Sequence, residues 1–405
     1  MNFKQLNIIE PITKQLDKLG YQEATPIQVA SIPLILEKKD LVGLAKTGTG
    51  KTAAFGLPML QMLNEKQREV QALIIAPTRE LAFQIQENLT IYSRNLAIRN
   101  TIICGGMNQN KQVKELEKGA QIVIATPGRL IDLMRQRLID LSKVEYLVLD
   151  EADQMLDMGF IHDIKKILSF VPKKRQTLLF SATMSSEIKS IVSQFLYQPE
   201  YVDVSPKSLV VEKIDQRLYY VDKANKKNLL LDILATENVF NALVFTRTKS
   251  NASRLSKFLV QNGISSDCIH GDKSQNARIR ILKSFKESKI QVLVASDVMA
   301  RGIDIQELEY VFNYEIPNIS STYVHRIGRS GRAGMSGKAI SFCQFDEIEY
   351  VKDIEKLMKQ TIPVIDNHAY PLMDRSATSS SHSRPRNRST NKKKQGNYRN
   401  KKKGK

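Results

Sequence analysis

The stretch Ala45, Lys46, Thr47, Gly48, Thr49, Gly50, Lys51, Thr52 constrains this chain more than any other. Residues 40–44 before it read as a strand, and residues 53–63 after it read as a helix. A strand, a glycine-rich turn and a helix in that order aim backbone N–H groups and a positive helix end at one phosphate chain. The glycines let the main chain close around an anion, Lys51 reaches the outer phosphates, and the Thr52 hydroxyl is placed to ligate Mg2+. Position 45 is Ala where the strict loop pattern begins with Gly. The reading therefore needs a second feature.

That feature lies about a hundred residues on, where the apolar run 146–149 ends in Asp150, Glu151, Ala152 and Asp153. An acid pair at a strand end suits a nucleotide hydrolase. Asp150 is placed to hold Mg2+, directly or through water, while Glu151 orients or deprotonates the attacking water. Neither feature is decisive alone. Together they point to hydrolysis of a nucleoside triphosphate.

The 405 residues are enough for two or three domains. Residues 1–204 alternate helical stretches with strand candidates at 70–76, 121–126, 145–149, 176–180 and 201–204. Such near-continuous apolar strands predict a parallel sheet with helices on both faces, and ligands at the carboxyl ends of its strands. Pro206, Ser208 and mixed charges break the rhythm, so residues 205–213 read as a linker. The alternation then resumes, with candidates at 216–221, 242–245, 291–295, 310–314 and 339–343, but without a second phosphate loop. The expected division is a nucleotide-binding domain 1–204, the linker, a second α/β domain 214–373 and a tail 374–405.

The net charge of +19 is concentrated in that tail, which holds twelve Lys or Arg and one acid. Its Ser-rich start and scarcity of apolar residues cannot bury a core, so disorder and a polyanionic partner are expected. No apolar run reaches the roughly 18 residues of a membrane span, and the N-terminus has no secretory apolar core. A cytoplasmic protein without a membrane partner is expected. Cys104, Cys268 and Cys343 stand far apart with no CxxC or Cys/His spacing, which argues against a zinc site or a disulfide framework.

Read as a series, the motifs resemble those of the DEAD-box RNA helicases over residues 1–345. They are the loop at 45–52, whose Ala is that family's own first letter, then PTRELA (77–82), Gly105 and Gly106, TPGR (126–129), DEAD (150–153) and SAT (181–183), followed by ASDVMARGID (295–304) and HRIGRSGRAG (325–334). The phrasing of LVFTRTK (243–249) is similar to the RhlE-type bacterial subgroup. Ser296 and Ser330 stand where the family commonly has Thr, and both keep the hydroxyl.

The resemblance implies two tandem RecA-like parallel-sheet domains joined by a short linker, with ATP and Mg2+ at the first. Tyr21, Thr25 and Gln28 would form the adenine-reading segment, and Asp304 would take the ribose. Arg329 and Arg332 would serve as arginine fingers beside the catalytic Lys51, Asp150 and Glu151, while His325 would link motifs. RNA would be held by Arg79, Gly105, Gly106, Thr126 and Arg129 in one domain and by Arg247, Gln275, Arg278 and Ser296 in the other. These are groups that grip sugar and phosphate without reading bases. The implied activity is ATP-dependent local unwinding of short RNA duplexes or remodelling of RNA–protein complexes, with unidentified ribosomal or RNA-degradation proteins as partners. An ATP-gated RNA clamp with little unwinding is the alternative, and a DNA helicase is a further rival.

Overall fold

The computed structural model describes residues 1–45, 48–204, 214–296, 308–330 and 337–375. Seven strands make the first sheet: β1 (Leu41–Leu44), β2 (Ala72–Ile75), β3 (Asn100–Ile103), β4 (Ile122–Ala125), β5 (Tyr146–Leu149), β6 (Gln176–Ser181) and β7 (Glu200–Asp203). Their order is β3-β4-β2-β5-β6-β1-β7, and every ladder is parallel. Six strands make the second: β8 (Ile214–Tyr220), β9 (Ala242–Thr246), β10 (Ser266–Ile269), β11 (Val292–Ser296), β12 (Tyr310–Asn313) and β13 (Gly337–Cys343). They run β10-β11-β9-β12-β13-β8, again all parallel.

The reason is visible in where alternate side chains go. In the first sheet Leu41, Ile74, Ile124, Val148 and Leu178 join one buried cluster, while Val42, Leu73, Ile75, Leu147 and Leu179 join another on the opposite face. A strand with both faces buried has no polar alternation, and only a parallel sheet covered by crossover helices offers that environment. The second sheet repeats the scheme, with Val244 and Phe312 on one face and Phe245 and Val311 on the other. All three cysteines are buried and free.

Two strands escape the sequence reading: β3 (NTII) and β10 (SDCI). Each lies at one of the two edges of its sheet. Four residues with a polar first half carry too little apolar pattern to stand out, and an edge position asks for no more. The expected linker 205–213 and the tail from residue 376 lie outside the described residues.

This topology positions the site. β1 and β5 are both neighbours of β6, so the loop leaving β1 and the acid pair leaving β5 emerge on the same edge of the sheet, two strand spacings or about 10 Å apart. A long side chain spans that gap.

Candidate ATP site and RNA-facing rim

The phosphate loop is tied to both of its neighbours. Ala45 N donates to Ser181 O at 2.9 Å, which fixes the loop's start to the end of β6. At its other end Gly50 adopts φ 93 and ψ 20 just before the helix Lys51–Met62. A Cβ there would run into Gln28 Nε2, with Thr25 Oγ1 3.0 Å away, so only glycine fits. Thr25 Oγ1 donates to Thr49 O at 2.8 Å and Gln28 Nε2 to Gly50 O at 3.0 Å. Thr25 N in turn donates to Gln28 Oε1 at 2.9 Å, closing a capping box on the helix Pro26–Leu36.

Sequence reading offers the Gln28 amide to an adenine edge. The structure uses one donor position of that amide to hold the loop and one acceptor position to cap its own helix, leaving one of each for a base. Tyr21, expected to stack on the base, is partly exposed and packs edge-on to Tyr92 at 6.4 Å. Lys46 and Thr47, expected on the phosphates, lie outside the described residues, as do Asp304 and Arg332.

Lys51 spans the gap between the strands, its Nζ lying 3.8 Å from Asp150 Oδ1, with both side chains almost wholly buried. Burial pushes the Asp150 carboxyl up to about 6 despite the opposing pull of Lys51, and Glu151 beside it adds to the rise. Asp150 Oδ1 also accepts from Glu151 N at 3.0 Å. Glu151 itself has φ 53 and ψ 52, a left-handed conformation that side chains rarely adopt, as it begins the helix Ala152–Asp157. Strain of this kind is kept where a side chain must be aimed.

Asp153 had no assigned part in the sequence reading beyond its place in the motif. Its Oδ2 accepts from Ala182 N at 3.1 Å, Thr183 N at 3.1 Å and Thr183 Oγ1 at 3.2 Å. The segment after β5 is thereby locked to the segment after β6, which in turn holds Ala45.

The first sheet also brings together its expected RNA residues. Thr78 caps the helix Arg79–Tyr92 by accepting from Leu81 N at 3.3 Å, and the Arg79 guanidinium lies against Gly106, where φ is 72 and a Cβ would displace it. Thr126 starts the helix Pro127–Arg135, and Arg129 Nη1 donates to Met107 O at 3.4 Å. Arg79, Gly105, Gly106, Thr126 and Arg129 therefore form one rim at the carboxyl ends of β2, β3 and β4.

In the second sheet the expected RNA residues are engaged with protein groups. Arg278 is buried, with Nη2 donating to the Glu80 carboxylate and to the Gln275 side-chain oxygen, while Gln275 Nε2 donates to Glu80 Oε1 at 3.3 Å. Glu80 belongs to the helix Arg79–Tyr92 of the first sheet's unit. Gln275 and Arg278 thus bridge the two units through Glu80. Arg247 is half committed: its N donates to Glu315 Oε2 and its Nη2 to Glu347 Oε1, both at 2.7 Å, with the side chain 30% exposed. Ser296 ends β11 and is buried, and Arg329 is buried just after the helix Ser320–Ile327. Nothing in sequence spacing joins Glu80 to residues some two hundred positions away. Only the tertiary arrangement reveals it.

Loop, acid pair and two parallel sheets together define a two-domain ATPase of the P-loop class. The sequence profile of the DEAD/DEAH box helicases matches residues 25–191, and that of the helicase conserved C-terminal domain matches residues 225–334. An ATP-dependent RNA helicase CshA of Listeria monocytogenes is 47% identical over 88% of this chain and 69% of its own length. Among solved structures, S. cerevisiae Dbp5 bound to RNA and ADP BeF3 is 31% identical, covers 90% of this chain and 95% of its own, and superposes with a TM-score of 0.81. A variant of Dbp5 bound to a Gle1 variant and IP6, at 31% identity over 90% and 94% of the two chains, gives 0.71. This chain belongs to the DEAD-box ATP-dependent RNA helicase family, and its two units are RecA-like. The relatives it matches carry the name CshA, so the expected RhlE-type subgroup has no support.

Proposed function

We propose that this protein separates short RNA duplexes and remodels RNA–protein complexes by closing its two units over one strand, and that ATP hydrolysis resets the closed form. The observation that carries this reading is the Glu80 bridge to Gln275 and Arg278. It joins the two units next to Arg79, one of the proposed RNA contacts, which supports a reading in which closure and RNA contact share one surface. The better superposition on the RNA- and ADP BeF3-bound Dbp5 than on the Gle1-bound form supports the same closed arrangement.

In this reading Gly48, Gly50 and the first turn of the helix Lys51–Met62 receive the β- and γ-phosphates, with Lys51 as their point charge. Lys46 and Thr47 belong to the same loop. Tyr21, Thr25 and Gln28 read the base, and Asp304 the ribose. Glu151 orients the attacking water and accepts its proton. Arg329 and Arg332 come from the second unit to neutralise charge that develops on the transferred phosphoryl group.

Asp150 and Thr52 fit a Mg2+ ion. A buried carboxylate pushed up to about 6 beside a single lysine is an oxygen ligand short of positive charge, and hard oxygen donors are what Mg2+ takes. When bound, the ion would supply charge neutralisation at the phosphates. Cytoplasmic location is part of the proposal; among the described residues no helix is long and apolar enough to cross a membrane. Ribosomal or RNA-degradation partners are likewise proposed by class only.

Strand displacement on RNA and DNA duplexes, with and without ATP, tests the reading. ATP-dependent displacement of RNA strands is the expected result. Tight ATP-dependent RNA binding without displacement would instead favour a clamp, and equal activity on DNA would overturn the RNA preference.

A further inference from the structure

Beneath Arg247 lies a buried row of charges that the activity as described does not use. Lys226 opens the helix Lys226–Thr236, and its Nζ donates to Phe342 O at 3.0 Å and to Glu347 Oε2 at 2.6 Å. Glu347 precedes the helix Ile348–Met358, and its other oxygen, Oε1, accepts from Arg247 Nη2 at 2.7 Å. The Lys226 and Glu347 side chains are 1% and 0% exposed, whereas that of Arg247 is 30% exposed. Arg247 is also held at its main chain, where N donates to Glu315 Oε2, and Glu315 is itself fixed by Asn251 Nδ2 at 2.7 Å.

Ion pairs so deeply buried do little for net stability compared with well-packed apolar residues, so their value is sought elsewhere. The arithmetic of charge suggests where. A carboxylate alone against Arg247 would orient the guanidinium but cancel its charge. Lys226, Arg247, Glu347 and Glu315 carry two charges of each sign, but Lys226 on the far oxygen of Glu347 leaves the guanidinium less neutralised than an unshared carboxylate would, and Arg247 is the most exposed of the four. In a low-dielectric interior that sharing of Glu347 is weakly screened.

We infer that Lys226 and Glu347 are positioning residues that set Arg247 as a fixed, still-cationic phosphate contact for RNA. This rests on Arg247 being an RNA contact, as proposed above. With one end of its guanidinium already held by Glu347, Arg247 would lose little rotamer freedom on binding.

The test measures binding of a labelled single-stranded RNA to the full chain with a non-hydrolysable ATP analogue, alongside RNA-stimulated ATPase. Glu347→Gln leaves Lys226 buried beside an amide and risks folding, so the paired change Lys226→Met with Glu347→Gln is made as well; thermal melting confirms that it folds. Arg247→Ala is expected to weaken RNA binding roughly tenfold, as loss of a charge-assisted contact does. The paired change should weaken it by a similar factor, raise the RNA concentration needed for half-maximal ATPase, and leave kcat at saturating RNA within about twofold. In the Arg247→Ala background the paired change should cost nothing further, because contacts that act through one residue are not additive. Full additivity, or unchanged RNA affinity in the paired variant while Arg247→Ala weakens it, would overturn the inference alone. Unchanged affinity in Arg247→Ala would overturn the RNA assignment on which it stands.

Discussion

Of the described residues in conformations that most side chains avoid, two sit at the proposed ATP site. Gly50 holds φ 93 beneath Gln28 and Thr25, and Glu151 holds φ 53 at the end of β5. Gly50→Ala adds the left-handed penalty of about 1–2 kcal/mol and a clash with Gln28, so ATP affinity is expected to fall at least about tenfold. Equilibrium binding of a fluorescent ATP analogue checks this, and unchanged affinity would mean that the loop closes without its glycine. Glu151→Gln keeps the shape of the side chain but removes the group that accepts the water's proton. ATP and RNA binding should persist while steady-state turnover nearly vanishes; near wild-type turnover would take Glu151 out of the catalytic role.

At the scale of elements, the carboxyl ends of β1, β5 and β6 form one linked unit. Asp153 joins the segments after β5 and β6, and Ser181 O holds Ala45 at the end of β1. The helix Arg79–Tyr92 has a different task, since its first turn carries both Arg79 toward the rim and Glu80 toward the second unit. Glu80→Ala should leave each unit's own fold untouched, because Glu80 contributes to their contact. Removing one partner of a buried ion pair costs about 3–5 kcal/mol, here charged to the closed form alone. RNA-stimulated kcat/KM is therefore expected to drop by at least about tenfold, with little change in the thermal midpoint. A large loss of thermal stability together with intact RNA stimulation would assign Glu80 to folding instead of closure.

For the whole molecule, the proposed catalysis draws on residues from both units, so anything that raises their time on RNA should raise turnover at low RNA. The tail from residue 374, with its twelve cations, is suited to that. If about five of them neutralise phosphates, its removal should flatten the plot of log affinity against log salt by about 3.5. Turnover at saturating RNA should survive. A truncated protein with the same salt slope would show that the tail has another use.

The sequence by itself determined the family of this protein. The proposed roles of Lys51, Thr52, Asp150 and Glu151 come from the sequence as well, because a phosphate loop and a strand-end acid pair need particular residue types at fixed local spacing. The interior strands were also visible, because burial on both faces leaves an unbroken apolar run, whereas the polar edge strands β3 and β10 were not. Only the tertiary structure decided which charged residues face one another. Arg278 and Arg247 look alike in sequence, yet one is buried on Glu80 across the two units and the other stands at the surface above Glu347. Glu347 and Lys226 carried no signal of this pairing. Their ion-pair partners lie about a hundred residues away or more, and long-range ion pairing leaves no periodicity for a sequence to display.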